Sequence, residues 1–215
     1  MPFNRAGWEH ILNAHNGYLP LRIEAVKEGT VLPVKNAIVQ IINTDPKVPW
    51  LTSFMETALL RAVWYPTTVA TLSWTVKQII RKYLNKTCEN PEAELPFKLH
   101  DFGARGVSSY ESAALGGVAH MVNFLGSDTV GALQHARTYY GEDMAAFSIP
   151  AAEHSTITSW GRENELDAFA NMIEQFGGPE KLVAVVSDSY DIYKATEQFW
   201  GKDLKDKVEA MGGTL

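Results

Sequence analysis

One cysteine, Cys88, stands in a chain of 215 residues. No intrachain disulfide is possible, and such a composition suits a reducing compartment, the cytoplasm. Cys88 follows a Lys-rich helix end in the polar tract Thr87 to Glu94, which marks it as a loop residue rather than an activated nucleophile. Basic charge is also scarce: 19 Lys and Arg against 25 Asp and Glu give a formal net charge of -6. There is no Lys/Arg-rich run and no basic stripe interleaved with aromatics, so no nucleic-acid partner is expected. No uninterrupted apolar run approaches the roughly 18 residues of a membrane-spanning helix, and MPFNRAGWEH lacks the apolar core of a signal peptide. Neither membrane insertion nor secretion is expected. Equally absent are G-x-x-x-x-G-K-[ST], G-x-G-x-x-G, G-x-S-x-G and H-E-x-x-H, which excludes the commonest phosphate-loop, dinucleotide, serine-hydrolase and zinc-protease readings.

What remains is 46% hydrophobic and 20% charged, enough core for one large or two small globular domains. Asn4 is placed to cap a helix carrying Trp8, Ile11 and Leu12, and Gly17 suits its left-handed end. Leu21 to Ala25 alternates apolar with polar, and Ala37 to Ile42 is a β-branched run, so both read as strands. From Pro49 the period becomes helical: Leu51, Phe54, Met55, Ala58, Leu59 and Ala62, then Val69, Leu72, Val76, Ile79, Ile80 and Tyr83 after Pro66. Pro66 divides this pattern into two expected long helices. The loop Thr87 to Pro96 is the expected boundary, giving an α+β region with two long helices over 1–95 and a strand-helix alternation over 96–215.

That alternation centres on His100 to Val130, HDFGARGVSSYESAALGGVAHMVNFLGSDTV. Phe97 to Phe102 predicts a buried strand, and Gly103 and Gly106 bracket Arg105 in a turn. Ser108 with Glu111 makes a capping box for a helix running to about Met121. Met121 to Leu125 predicts a second strand, followed by a turn and a helix marked by Val130, Leu133 and Ala136. Ala145 to Pro150, then Leu182 to Val186, continue the parallel pattern, with helices over about Glu163 to Phe176 and at Ile192, Ala195 and Phe199 between and after them. The last residues predict a helix, a Gly stop and the start of a further strand. The residues alone therefore imply an α/β, enzyme-like half barrel whose chemistry collects at the strands' C-terminal ends.

Each rim residue has two readings. Asp101, beside His100, either pairs with Arg105 or closes a turn. Phe102 is a core residue or a ligand platform. Arg105, flanked by flexible residues, suits a phosphate or carboxylate. Asp128 is a helix N-cap or an acceptor on the rim, and Asp188, like Ser187, caps the following helix or joins that rim. His120 and His135 fall within helical patterns as packed or solvated residues. His154, at an expected strand exit before two hydroxyl residues, is an imidazole placed near a pocket. His100, Asp101, His154 and Asp188 lack close ligand spacing, so no metal ligand is assigned.

HDFGARGVSS, VNFLGSDTV, PAAEHSTITSWG and VVSDSYDIY closely resemble the nicotinamide phosphoribosyltransferase family, and GWEHILNAHNGYLPLRIEAVKEGTVLP with WYPTTVAT continue the likeness in collinear order. The resemblance implies a homodimeric type II phosphoribosyltransferase with a (β/α) barrel, of which this chain would hold a part. Its reaction joins nicotinamide to phosphoribosyl pyrophosphate, with Mg²⁺, giving nicotinamide mononucleotide and pyrophosphate in NAD salvage. It further implies that Phe102 stacks on the pyridine ring, Asp128 accepts from the carboxamide and Arg105 holds the product phosphate. His100 and Ser148 join these as substrate-binding residues. His154 would match a histidine phosphorylated by ATP, with Asp188 in its acidic network.

Asp128 agrees with that implication physically: a carboxylate accepts from an amide and repels nicotinate. Pyrophosphate departure leaves oxocarbenium character at the ribose, which needs cationic stabilisation more than acid-base work. Ala104 and Ala184 stand where the vertebrate-type enzymes carry Tyr and Ser, which alters the expected pocket. The family chain is about twice as long, so a fragment of weak or no activity is expected, or a non-catalytic module docking on a partner chain. Nicotinate phosphoribosyltransferase activity is the alternative within enzymes.

Overall fold

The computed structural model describes residues 2–215, in two compact units, Met1–Phe147 and Ser148–Leu215. The compositional change near residue 95 falls inside the first unit. There Asn4 caps α1 (Arg5–His15), its side-chain oxygen accepting from the Gly7 N–H at 3.2 Å. The helix ends on left-handed Asn16 and Gly17. Ile11 is buried against Val48 and Leu51, with Trp8 beside them, whereas Leu12 is exposed. Adjacent helical residues point about 100° apart, so one apolar stripe does not bury both. β1 (Leu21–Ala25) pairs antiparallel with β2 (Val39–Asn43), Leu21 opposite Asn43.

α2 (Leu51–Thr87) is one helix of 37 residues with Pro66 inside it, not the two helices expected. Pro66 removes one backbone donor, at about 3 kcal/mol, but does not shift the apolar phase. Leu51, Met55, Leu59, Val63, Pro66, Ala70, Ser73 and Lys77, all buried or half-buried, follow one another at steps of three or four across it. Partners from the end of the next long helix also grip it: Asn123 Nδ2 donates to Ala70 O at 2.9 Å and Ser73 Oγ at 2.7 Å, and Lys77 Nζ donates to Asn123 O at 2.6 Å. Much of the helix still faces outward, including Phe54, Trp64, Leu72 and Tyr83.

α3 (Pro91–Glu94) leads into a 3-10 turn, Leu95–Phe97, which takes up the first residue of the strand expected over Phe97 to Phe102. Phe97 is exposed, and the strand shrinks to β3 (His100–Asp101). α4 (Tyr110–Met121) is capped by Ser109, not Ser108: Ser109 Oγ accepts from the Ser112 N–H at 3.0 Å. The expected strand over Met121 to Leu125 is instead a turn burying Asn123 and Phe124, and β4 (Gly126–Ser127) follows it. β3 and β4 pair in parallel, and Phe147 adds a parallel bridge to Gly126. α5 (Val130–Tyr140) begins after Thr129 and ends on left-handed Gly141.

α4 and α5 approach closely because Gly117 has no side chain: a Cβ there would lie 2.4 Å from Ala132 Cβ. Gly117→Ala is expected to destabilise the chain by about 1–3 kcal/mol through overpacking, read as a lower urea midpoint. A midpoint equal to the parent's would show that the two helices separate freely.

In the second unit the chain runs through α6 (His154–Thr158), a 3-10 turn, α7 (Glu165–Phe176), α8 (Ile192–Lys194), a π-helical run Ala195–Asp203 and α9 (Lys205–Met211). The strands expected here are reduced to single parallel bridges, Ala151 with Ala184 and Leu182 with Thr214. Asp191, not Ser187 or Asp188, caps α8, accepting from the Lys194 N–H at 3.0 Å. Phe169, Ile157, Ala195 and Leu204 form the buried centre, with Phe169 fully enclosed. Phe176, expected on the inner face of α7, is exposed at the helix end. The architecture is mixed α/β, and every strand pairing among described residues beyond residue 97 is parallel. No helix among the described residues is long and apolar enough to cross a membrane.

Candidate active site

The first unit's parallel strand ends gather part of the expected rim. Asp101 closes a turn: its Oδ1 accepts from the Gly103 N–H at 2.8 Å, and Ser127 Oγ donates to its Oδ2 at 3.3 Å. The Asp128 N–H donates to Asp101 O at 3.0 Å, and the Thr129 N–H to Ser127 Oγ at 3.1 Å. These bonds hold Asp128 at the exit of β4, while Thr129 takes the N-cap position of α5 that Asp128 was also suited to.

His100 links this acid to the aromatic. Its Nε2 lies 3.2 Å from Asp128 Oδ1, within reach of charge attraction, yet that buried nitrogen makes no hydrogen bond. Its ring sits 4.6 Å from that of Phe102, tilted by 31°. Gly126 permits the arrangement, since a Cβ there would fall 2.6 Å from His100 Nδ1. Phe102 is 59% exposed and so is not a core residue. Arg105 follows it, exposed in the 3-10 turn Gly103–Gly106. His100, Phe102 and Asp128 are therefore brought together, with Arg105 in the same turn as Phe102.

A cavity of about 350 Å³ opens beside Phe102, lined by Tyr65, Val69, His100, Val107 and His120 among others. His120 is a packed histidine: its Nε2–H donates to Gly126 O at 3.0 Å, and its ring stacks on Phe124 at 5.5 Å. Burial lowers its pKa, although Asp101 opposes the shift, so the neutral ring is favoured at the cavity wall.

In the second unit His154 opens α6, whose N-cap Glu153 forms a capping box with Thr156. His154 Nε2 lies 2.8 Å from Asp188 Oδ1, with both side chains 61% exposed. Ser187 is turned away from capping: its Oγ donates to Val185 O at 2.9 Å and accepts from Trp200 Nε1–H at 2.9 Å. Those bonds fix the backbone just before Asp188. Ser148, exposed, begins this unit.

One cluster escaped the sequence reading. His10, His15 and Asp45 converge on one carboxylate oxygen in the first unit. Two histidines five residues apart on a helix were visible, but their meeting with an acid thirty residues on depends on the β hairpin between them.

A family model described as the nicotinate phosphoribosyltransferase family matches residues 97–214. Over 214 residues, 100% of this chain and 46% of the relative, the sequence is 59% identical to a nicotinamide phosphoribosyltransferase of Xanthomonas campestris pv. campestris. Proteins of that name from Acinetobacter baylyi and Mycoplasma pneumoniae are each 36% identical, over 92% and 88% of this chain and 39% and 40% of theirs. The chain thus spans less than half the length of the curated relatives it matches. With that match covering both strand-exit groups, the chain belongs to the nicotinate phosphoribosyltransferase family.

Proposed function

We propose that the chain carries the pyridine-binding part of a nicotinamide phosphoribosyltransferase, which transfers phosphoribosyl from phosphoribosyl pyrophosphate to nicotinamide and releases pyrophosphate. The observation that carries this reading is Asp128 at the exit of β4, 3.2 Å from His100, whose ring adjoins the exposed Phe102. Phe102 offers a stacking face for the pyridine ring. Asp128 accepts from the carboxamide NH₂ and repels a carboxylate, which favours nicotinamide over nicotinate. His100 Nε2, 3.2 Å from Asp128 Oδ1, keeps that carboxylate beside the aromatic face. Arg105 suits the product phosphate, and Ser148 is a further substrate-binding residue by likeness to the family. The parallel pairings at His100, Gly126, Ala151 and Leu182 support a partial (β/α) barrel. The apolar side chains exposed along α2 suit a homodimer, and a lone cysteine suits the cytoplasm.

Mg²⁺ accompanies the diphosphate of phosphoribosyl pyrophosphate. The one three-ligand group among the described residues, His10, His15 and Asp45, is rich in nitrogen and does not fit this oxygen-seeking ion. His154 is the phosphoryl acceptor from ATP: with Nε2–H donating to Asp188, Nδ1 carries the lone pair that takes the γ-phosphoryl and releases ADP.

The test joins residues 1–215 to the remaining length of the Xanthomonas relative. That chain is expected to form nicotinamide mononucleotide from nicotinamide, with nicotinate used poorly; equal use of both acids and amides would favour the nicotinate enzyme instead. In the same chain Asp188→Asn is expected to lower ATP-stimulated turnover about tenfold or more, since a carboxylate that orients an imidazole contributes up to roughly 10⁴-fold elsewhere. ATP-independent turnover should change less. A similar loss with and without ATP would remove Asp188 from this role.

A further inference from the structure

His10, His15 and Asp45 have no part in the reading above. His10 lies within α1 and His15 in its last turn, while Asp45 follows β2. The Nε2 atoms lie 2.7 and 2.8 Å from the same oxygen, Asp45 Oδ2, and the three ligand atoms fall within 4.8 Å of one another. The imidazoles meet edge to face, with centroids 5.8 Å apart. Asp45 is the least exposed of the three side chains, at 13%.

The acid is held ready for this encounter. Its Oδ1 accepts from the Lys47 N–H at 2.9 Å, and its own N–H donates to Asn43 Oδ1 at 2.8 Å. Asn43 Nδ2 donates to Val48 O at 2.6 Å, and Val48 packs with Ile11 of α1. One carboxylate oxygen is thus committed to backbone, and the other faces two imidazoles. Such outer bonds orient a ligand before any ion arrives.

Two ring N–H groups sharing one oxygen is the plainer account. Yet the two nitrogens and the carboxylate oxygen also lie within 4.8 Å of one another, close enough for one ion to replace the two shared hydrogen bonds. Two imidazoles and a carboxylate make a three-ligand transition-metal set. We infer that His10, His15 and Asp45 bind one divalent transition-metal ion of the zinc class, with a coordination position open to water. Metal-ligand bonds of about 2.0–2.2 Å set ligand atoms roughly 3.3 Å apart, so binding moves the imidazoles outward by roughly half an ångström. Their positions near the end of α1, partly exposed, allow that movement. Occupancy ties the end of α1 to the loop after β2. Mg²⁺ and Ca²⁺ prefer oxygen donors and are not expected here.

The metal-freed chain is titrated with Zn²⁺ by calorimetry and with Co²⁺ by visible absorption. One ion per chain, Co²⁺ ligand-field bands and no competition from Mg²⁺ are expected. His15→Gln and Asp45→Asn should each weaken Zn²⁺ binding about tenfold or more. A second readout needs no variant: among the six histidines, Zn²⁺ should perturb the imidazole NMR signals of His10 and His15. Absence of Zn²⁺ binding at micromolar concentration, perturbation of His154 or another histidine in their place, or undiminished binding by a folded His10→Gln/His15→Gln chain each overturns the proposal.

Discussion

Asp128→Ser, in the full-length chain described above, is expected to lower the ratio of kcat/KM for nicotinamide over nicotinate by roughly 10- to 100-fold. A hydrogen bond to a charged group contributes about 1.5–3 kcal/mol, and each 1.4 kcal/mol is a factor of ten. Two effects act in the same direction. The amide loses a charged acceptor, and the acid no longer meets a carboxylate at the exit of β4. Asp128→Asn keeps the shape and adds a donor, so nicotinate should gain further. His100 Nε2, 3.2 Å from Asp128, would lose its anionic neighbour in both variants. Its contribution separates by adding His100→Gln: if Asp128 acts directly on substrate, the selectivity change persists in that background. A ratio within twofold of the parent for Asp128→Ser would end the selectivity assignment.

Phe169→Ala is expected to destabilise the second unit by about 3–5 kcal/mol, the range for deleting a buried aromatic. Phe169 is fully buried, its ring stacked 4.9 Å from that of Trp200 and edge-on to Phe199 at 6.1 Å. The cavity cannot collapse easily, because Trp200 is also tied through Nε1 to Ser187. The same tether runs to the backbone before Asp188, so loosening it should broaden the His154–Asp188 contact as well. Urea unfolding followed by near-ultraviolet circular dichroism reads both the stability and the Trp200 environment. Phe169→Leu, which retains most of the volume, should lose less. A loss below about 1 kcal/mol for the Ala variant would place the centre of this core elsewhere.

The helices and their order were legible in the residues because apolar spacing and caps act locally. Asn4, the Gly17 end of α1, the α2 stripe and the core face of α7 all follow from side chains within a few positions of one another. Pro66 misled, since a local breaker was set against 37 residues whose apolar phase never changed. The strands were placed too early and drawn too long: β3 and β4 keep two residues each, their length set by which carbonyls find a parallel neighbour. The π-helical run Ala195–Asp203 was invisible for a related reason, as it turns Phe199 and Trp200 together toward Phe169, a contact no period of 3.6 anticipates.

At the sites the division is sharper. Residue types and their order alone pointed to the rim acids, the aromatic, the guanidinium and the imidazole, through their likeness to one family. That likeness already put Asp188 in the network of His154, whose contact the structure fixes at 2.8 Å; only the tertiary structure decided that His100 stands between Phe102 and Asp128 and that His10 and His15 share Asp45. Apart from His100 with Phe102, two residues away, those pairings span 28 to 35 residues, and chain separation of that size carries no distance information until strands and helices have packed.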